Sequence, residues 1–172
     1  MSNTAAIFYK RDGYNTQGKR LLGRQSAGEG FLKALVEYGK AEHLYCYTDS
    51  RDEFSEYCQK IQPFLRRPRE VKWAPTTNPP SLYQAGTLYL PDPNLPKFAW
   101  QRRFYNQQAY SLCGVTHTIA SMGVMENIGN LLIAPLMPWD ALVCTSQAVK
   151  TAVDGMLNNW AEYLAERIGS KL

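Results

Sequence analysis

Three groups of residues have the types and spacing to do chemistry. His117-Thr118 directly follows the run Cys113-Gly114-Val115-Thr116, so it lies where a short strand would end. An imidazole at that place can donate or accept a hydrogen bond near neutral pH, although a lone histidine can equally be structural. Asp92 stands between Pro91 and Pro93, after another short apolar run. Such a stiff turn could hold a carboxylate in place, and Asp is also ordinary turn chemistry. Gly13-x-x-x-x-Gly18-Lys19 matches most of a phosphate-binding P-loop. That motif next requires Ser or Thr, whose hydroxyl holds Mg²⁺, and Arg20 stands there instead. What survives is a glycine-rich loop feeding a helix N-terminus near Arg24. Backbone N–H groups and the helix dipole favour an anion there. Gly23 is the glycine nearest that start, with Lys19, Arg20 and Arg24 as the cations beside it. No spacing suggests a carboxylate–Ser–His arrangement, so hydrolase chemistry finds no support.

The elements that would position these residues alternate. Ala5–Tyr9 reads as a buried strand, followed by a polar loop from Asp12 to Arg20. Phe31, Leu32, Leu35 and Val36 recur at helical spacing from about Arg24, and Tyr38-Gly39 stops the helix. Small residues at Gly28 and Gly30 suit a helix packed close to its neighbours. His43–Thr48 is a second strand, Asp52–Ile61 a helix, and Val71–Trp73 a third strand. A turn region follows at 76–80. Gly86–Leu90 is a fourth strand, Phe98–Tyr110 a helix, Cys113–Thr116 a fifth strand, and Met122–Ile133 a helix broken by Pro135 and Pro138. Ala141–Cys144 is a sixth strand, and Thr145-Ser146 caps a final helix. In that helix Val149, Ala152, Val153, Met156, Trp160, Tyr163, Leu164 and Ile168 share one stripe, which reads as core. Six such alternations imply an α/β fold with a mainly parallel sheet covered by helices on both faces. Ligands in such folds bind beyond the carboxyl ends of the strands.

The bulk properties narrow the partners. A chain of 172 residues is long enough for one domain with a core and hardly long enough for two. The net charge of +4 is mild, and nucleic-acid binders concentrate more positive charge on one face. Lys19–Arg20, Arg66–Arg67–Pro68–Arg69 and Arg102–Arg103 read as solvated surface pairs, with a phosphate ligand as the sharper reading of the first. Four cysteines without C-x-x-C spacing and only two histidines argue against a zinc site. Cys46, Cys113 and Cys144 lie in or beside apolar runs and read as buried free thiols. Met1-Ser2-Asn3-Thr4 leads straight into the first strand without the pattern of a secretory leader, so a cytoplasmic location is expected.

The order of these features resembles the N-terminal domain of group 1 retaining glycosyltransferases of the GT-B fold. Gly23 followed by Phe31-Leu32-Lys33-Ala34-Leu35-Val36-Glu37-Tyr38-Gly39 resembles their first loop and helix. Val115-Thr116-His117-Thr118 resembles their strand ending in a His-Thr or His-Ser pair. Trp139-Asp140-Ala141-Leu142-Val143-Cys144-Thr145-Ser146 resembles their D-x-(apolar)-x-x-x-S strand and following helix. The resemblance implies a single Rossmann-like domain over residues 1–172, the acceptor-binding half of a sugar transferase, with the C-terminal nucleotide-sugar domain absent. It implies a catalytic role for His117 against the donor sugar and a place for Gly23 near the donor diphosphate. Lys19, Arg20, Arg24, Thr118 and Asp92 become further candidates for binding substrate or donor. It also implies a nucleotide-sugar co-substrate with no other cofactor and no metal. The acceptor would be a sugar or lipid, a separately encoded donor-binding domain could complete the enzyme, and peripheral membrane contact is compatible. The family's Arg/Lys pair and its two glutamates lie in the second domain, so the isolated chain is expected to be inactive. The competing expectations are a non-catalytic binding or scaffolding protein of the same fold and a nucleotide-binding P-loop protein.

Overall fold

A computed structural model describes residues 4–16 and 23–169. Its strands are β1 (Ala6–Phe8), β2 (His43–Thr48), β3 (Glu70–Pro75), β4 (Thr87–Leu90), β5 (Ser111–Thr116) and β6 (Ala141–Cys144). The helices are α1 (Arg11–Tyr14), α2 (Gly23–Tyr38), α3 (Arg51–Ile61), α4 (Leu95–Tyr105), α5 (Met122–Asn130) and α6 (Gln147–Ile168). The strands form one parallel sheet in the order β3-β2-β1-β4-β5-β6. This is a Rossmann-like α/β fold.

Side chains alternate across the sheet, so the strands inside its edges feed two cores. On one face Ile7, Tyr9, Cys46 and Tyr89 pack with Leu32 and Val36 of α2 and with Tyr57 and Ile61 of α3. On the other, Ala6, Tyr47, Leu88, Leu90 and Leu112 pack with Leu95, Phe98 and Ala99 of α4. The near-continuous apolar strands follow from burial on both faces.

Several expectations are corrected. The loop after β1 opens with one helical turn, α1. Gly28 brings α2 onto it, since a Cβ at residue 28 would lie 2.3 Å from the Gly13 carbonyl oxygen. A Cβ at Gly30 meets nothing, so packing accounts for only one of the two glycines. Helix α4 ends at Tyr105 rather than Tyr110, because Asn106 leaves the helical conformation and β5 already begins at Ser111. Helix α5 ends at Asn130, with its last carbonyls taken up by tight turns through residue 134.

The basic clusters are not simply solvated. Arg66 pairs with Glu37, Arg67 donates to the Lys40 carbonyl at 2.8 Å, and Arg69 donates to the Val36 carbonyl. These three cations meet the negative end of α2. Arg102 is fully buried and forms a two-pronged pair with Asp140, at 2.7 and 2.6 Å. The stripe of α6 is only partly covered. Val153 is its only buried residue, and Tyr163 and Ile168 are more than half exposed. The reason is position: β6 is the sheet's edge, and α6 rests on α5 and β6 with no layer above it. Trp160 does pack, edge against Gly129, where a Cβ would come within 2.5 Å of the indole.

No described helix is long and apolar enough to cross a membrane.

Candidate functional site

The strand order reverses its sense of growth between β1 and β4. The chain leaves β1 toward one face and β4 toward the other, so their following loops separate and a crevice opens beyond the carboxyl ends. A cleft of about 340 Å³ lies there. It is walled by Arg24 from the first turn of α2, Pro91–Pro93 after β4, and Val115, His117 and Thr118 from the end of β5. Ser121 and Val124 of α5 close it. Loops after three different strands thus converge, and four of the sequence-predicted residues, Arg24, Asp92, His117 and Thr118, come together.

Each is held for a local reason. The Asp92 carboxylate accepts from the Asn94 backbone N–H at 2.9 Å, the short-range turn bond that Asp favours. The Asp92 carbonyl accepts from the Val115 N–H at 3.3 Å, which ties this turn to β5. Only a glycine at 114 allows that approach: a Cβ there would lie 2.9 Å from the Asp92 oxygen and 2.1 Å from Leu95 Cδ1. Burial pushes the Asp92 carboxyl above the usual carboxylate range, while the Asn94 N–H and the Arg24 charge pull the other way. Arg24 pairs with the Asp12 carboxylate of α1 across the loop. Thr118 accepts from the Ala120 N–H at 3.2 Å, and Ser121 caps α5 by accepting from the Val124 N–H at 3.4 Å.

His117 is half-buried, and its Nε2 is enclosed without a hydrogen-bond partner among the described residues. Burial lowers its pKa, so the ring is held neutral at pH 7. A neutral imidazole presents one donor and one acceptor.

Gly23 is exposed at the first turn of α2, and an added Cβ would meet nothing. Neither crowding nor backbone geometry demands glycine there. Lys19 and Arg20 lie outside the described residues. Ser146 caps α6, its hydroxyl accepting from the Val149 N–H at 3.2 Å, as expected. Among the described residues no group of three or more His, Cys, Asp and Glu gathers to hold a metal ion.

Sequence reasoning missed Ser121, Val124 and Gly114. Ser121 carried a signal, since serine just before an apolar helical run is a cap pattern. Gly114 carried none, because its role lies in a contact between β5 and the turn after β4, distant in the chain.

No protein-family model, curated protein or solved structure matches the chain.

Proposed function

We propose that this chain is the acceptor-binding half of a glycosyltransferase, which passes a sugar from a nucleotide-sugar to a sugar or lipid acceptor together with a donor-binding domain. The observation that carries the reading is the meeting of Arg24, Asp92, His117 and Thr118 in one cleft at the switch point of the sheet. The order of the Gly23 loop and its helix, the strand ending in His117-Thr118, and the strand and helix from Asp140 resembles that of the group 1 retaining enzymes.

The chemistry is consistent with that role. Sugar transfer builds negative charge on the departing diphosphate, and fixed positive dipoles stabilise it. The first turn of α2 with Arg24, and the capped start of α5, supply such dipoles at the cleft wall. His117 lines the cleft, and a neutral imidazole can hydrogen-bond a sugar hydroxyl. Asp92 can accept from a second hydroxyl.

Titration calorimetry with UDP-, GDP- and ADP-sugars, with and without a donor-binding domain, tests the proposal. Binding or transfer that needs both parts is the expected result, and His117→Ala should then reduce transfer without unfolding the chain. The scaffolding reading draws on the same histidine, whose Nε2 has no hydrogen-bond partner among the described residues. Unchanged transfer in His117→Ala, or no nucleotide-sugar binding with either preparation, would favour it.

A further inference from the structure

Beside the cleft, the cover over the sheet thins toward the edge strand, from Tyr89 and Val115, which are buried, to Val143, which is exposed. Parallel sheets normally bury both faces. On the face covered by α2 and α3, the strands β4, β5 and β6 present Tyr89, Cys113, Val115 and Val143. These lie on neighbouring strands in register, Tyr89 beside Cys113 and Val115 beside Val143. Phe31 of α2 reaches over them, stacked on Tyr89 with ring centroids 3.8 Å apart. Val143, on the edge strand β6, is 46% exposed.

The result is a slot of about 320 Å³ under Phe31. It begins at Ala5 and Thr87, near the amino ends of β1 and β4, and finishes at Val115 and His117. Thr87 pairs with Ser111, so the slot follows β5 for six residues, about 20 Å at the strand rise. Its lining is apolar apart from Thr87 and His117. Val115 and His117 also wall the polar cleft, so the two concavities adjoin there.

The dimensions select the occupant. At about 320 Å³ over that length the slot is too narrow for a helix ~10 Å across, whose section is about 80 Å². Nine residues line the slot, whereas a stable protein interface takes about 20–30 a side. A single alkyl chain fits both limits. The adjoining cleft mixes acceptors, at Asp92 and His117, with donors, at Arg24, Thr118 and Ser121. A polyol uses both kinds, while an anionic head could use only the donors.

We propose that the slot holds the alkyl chain of an amphiphilic acceptor whose hydroxylated head, like that of a glycolipid, lies in the cleft against Asp92 and His117. The role given to the head rests on the acceptor reading above. The binding itself needs no donor and no transfer, so the two can fail separately.

The test is calorimetry of this chain with methyl, hexyl and octyl glucoside, and with octyl phosphate, all below their micellar concentrations. Affinity should rise along the glucosides by about fourfold for each methylene that enters the slot. Val143→Asp and Phe31→Ala should return octyl glucoside to the level of methyl glucoside. Both positions are exposed, and the melting temperature of each variant checks its fold. Octyl glucoside binding no tighter than methyl glucoside would overturn the proposal. So would equal octyl affinity in the wild type and in whichever variant remains folded. Tighter binding of octyl phosphate than of octyl glucoside would overturn the hydroxylated head.

Discussion

The buried pair between Arg102 and Asp140 offers the sharpest quantitative prediction. Their side chains are 0% and 2% exposed. Asp140 Oδ1 accepts from Arg102 at 2.7 Å and from the Leu112 N–H at 2.8 Å. Oδ2 accepts from Arg102 at 2.6 Å and from the Met137 N–H at 2.8 Å. Arg102 also donates to the Tyr110 carbonyl at 2.7 Å. One carboxylate thus joins α4, the start of β5 and the turn into β6. Asp140→Ala leaves a buried guanidinium with one partner and orphans two backbone donors. Removing one member of such a pair costs about 3–5 kcal/mol. For a domain of this size that lowers the melting temperature by roughly 6–20 °C. Arg102→Met should cost less, because the carboxylate it strands keeps two backbone N–H donors. Urea unfolding followed by tryptophan fluorescence measures both. The reasoning fails if Asp140→Ala lies within about 1 kcal/mol of wild type, the range of an exposed pair, or if Arg102→Met proves the more damaging.

Three further outcomes are expected. Gly28→Ala should destabilise by about 1–3 kcal/mol through overpacking against the Gly13 carbonyl, whereas Gly30→Ala, in open space, should stabilise by about 0.5–1 kcal/mol; equal effects in chemical denaturation would refute the packing account. Gly114→Ala should weaken ligand binding at the cleft and lower stability together, since the added methyl meets the Asp92 carbonyl; calorimetry showing intact binding would count against it. His117 has its pKa lowered by burial, so the unfolded chain binds the extra proton first and stability should fall as pH drops below about 6.5; His117→Gln should remove that part of the fall in melting temperature between pH 7 and pH 5.

The order of strands and helices was legible because the apolar runs are short, continuous and separated by glycine, proline and polar residues. The places of His117 and Asp92 were legible for the same reason: each stands one or two residues past such a run. Arg102 was misread. Beside Arg103 it looks like surface, and its burial depends on a carboxylate 38 positions away. The stripe of α6 was misread in the opposite sense. Its period predicts an apolar face correctly, but periodicity does not say whether a second layer exists to cover that face. The short α1 was hidden because a single turn leaves no period to detect.

The cleft therefore depends on close backbone approach as much as on its own side chains. Arg24 reaches it from α2, which sits low over α1 because residue 28 has no side chain. Asp92 reaches it from the β4 loop, which lies on β5 because residue 114 has none. A larger residue at either glycine would move a charged group outward while leaving His117 at the end of its strand. Ligand affinity should then fall in both variants with the His117 environment little changed. The imidazole resonances of His117, followed by NMR against pH, would show this. Their titration midpoint should stay below the ordinary value in Gly28→Ala and Gly114→Ala, since Val115 of β5 and Ser121 and Val124 at α5 line the cleft beside the ring. A midpoint restored to about 6.5 would mean that the Arg24 and Asp92 loops, rather than the strand end, enclose the ring.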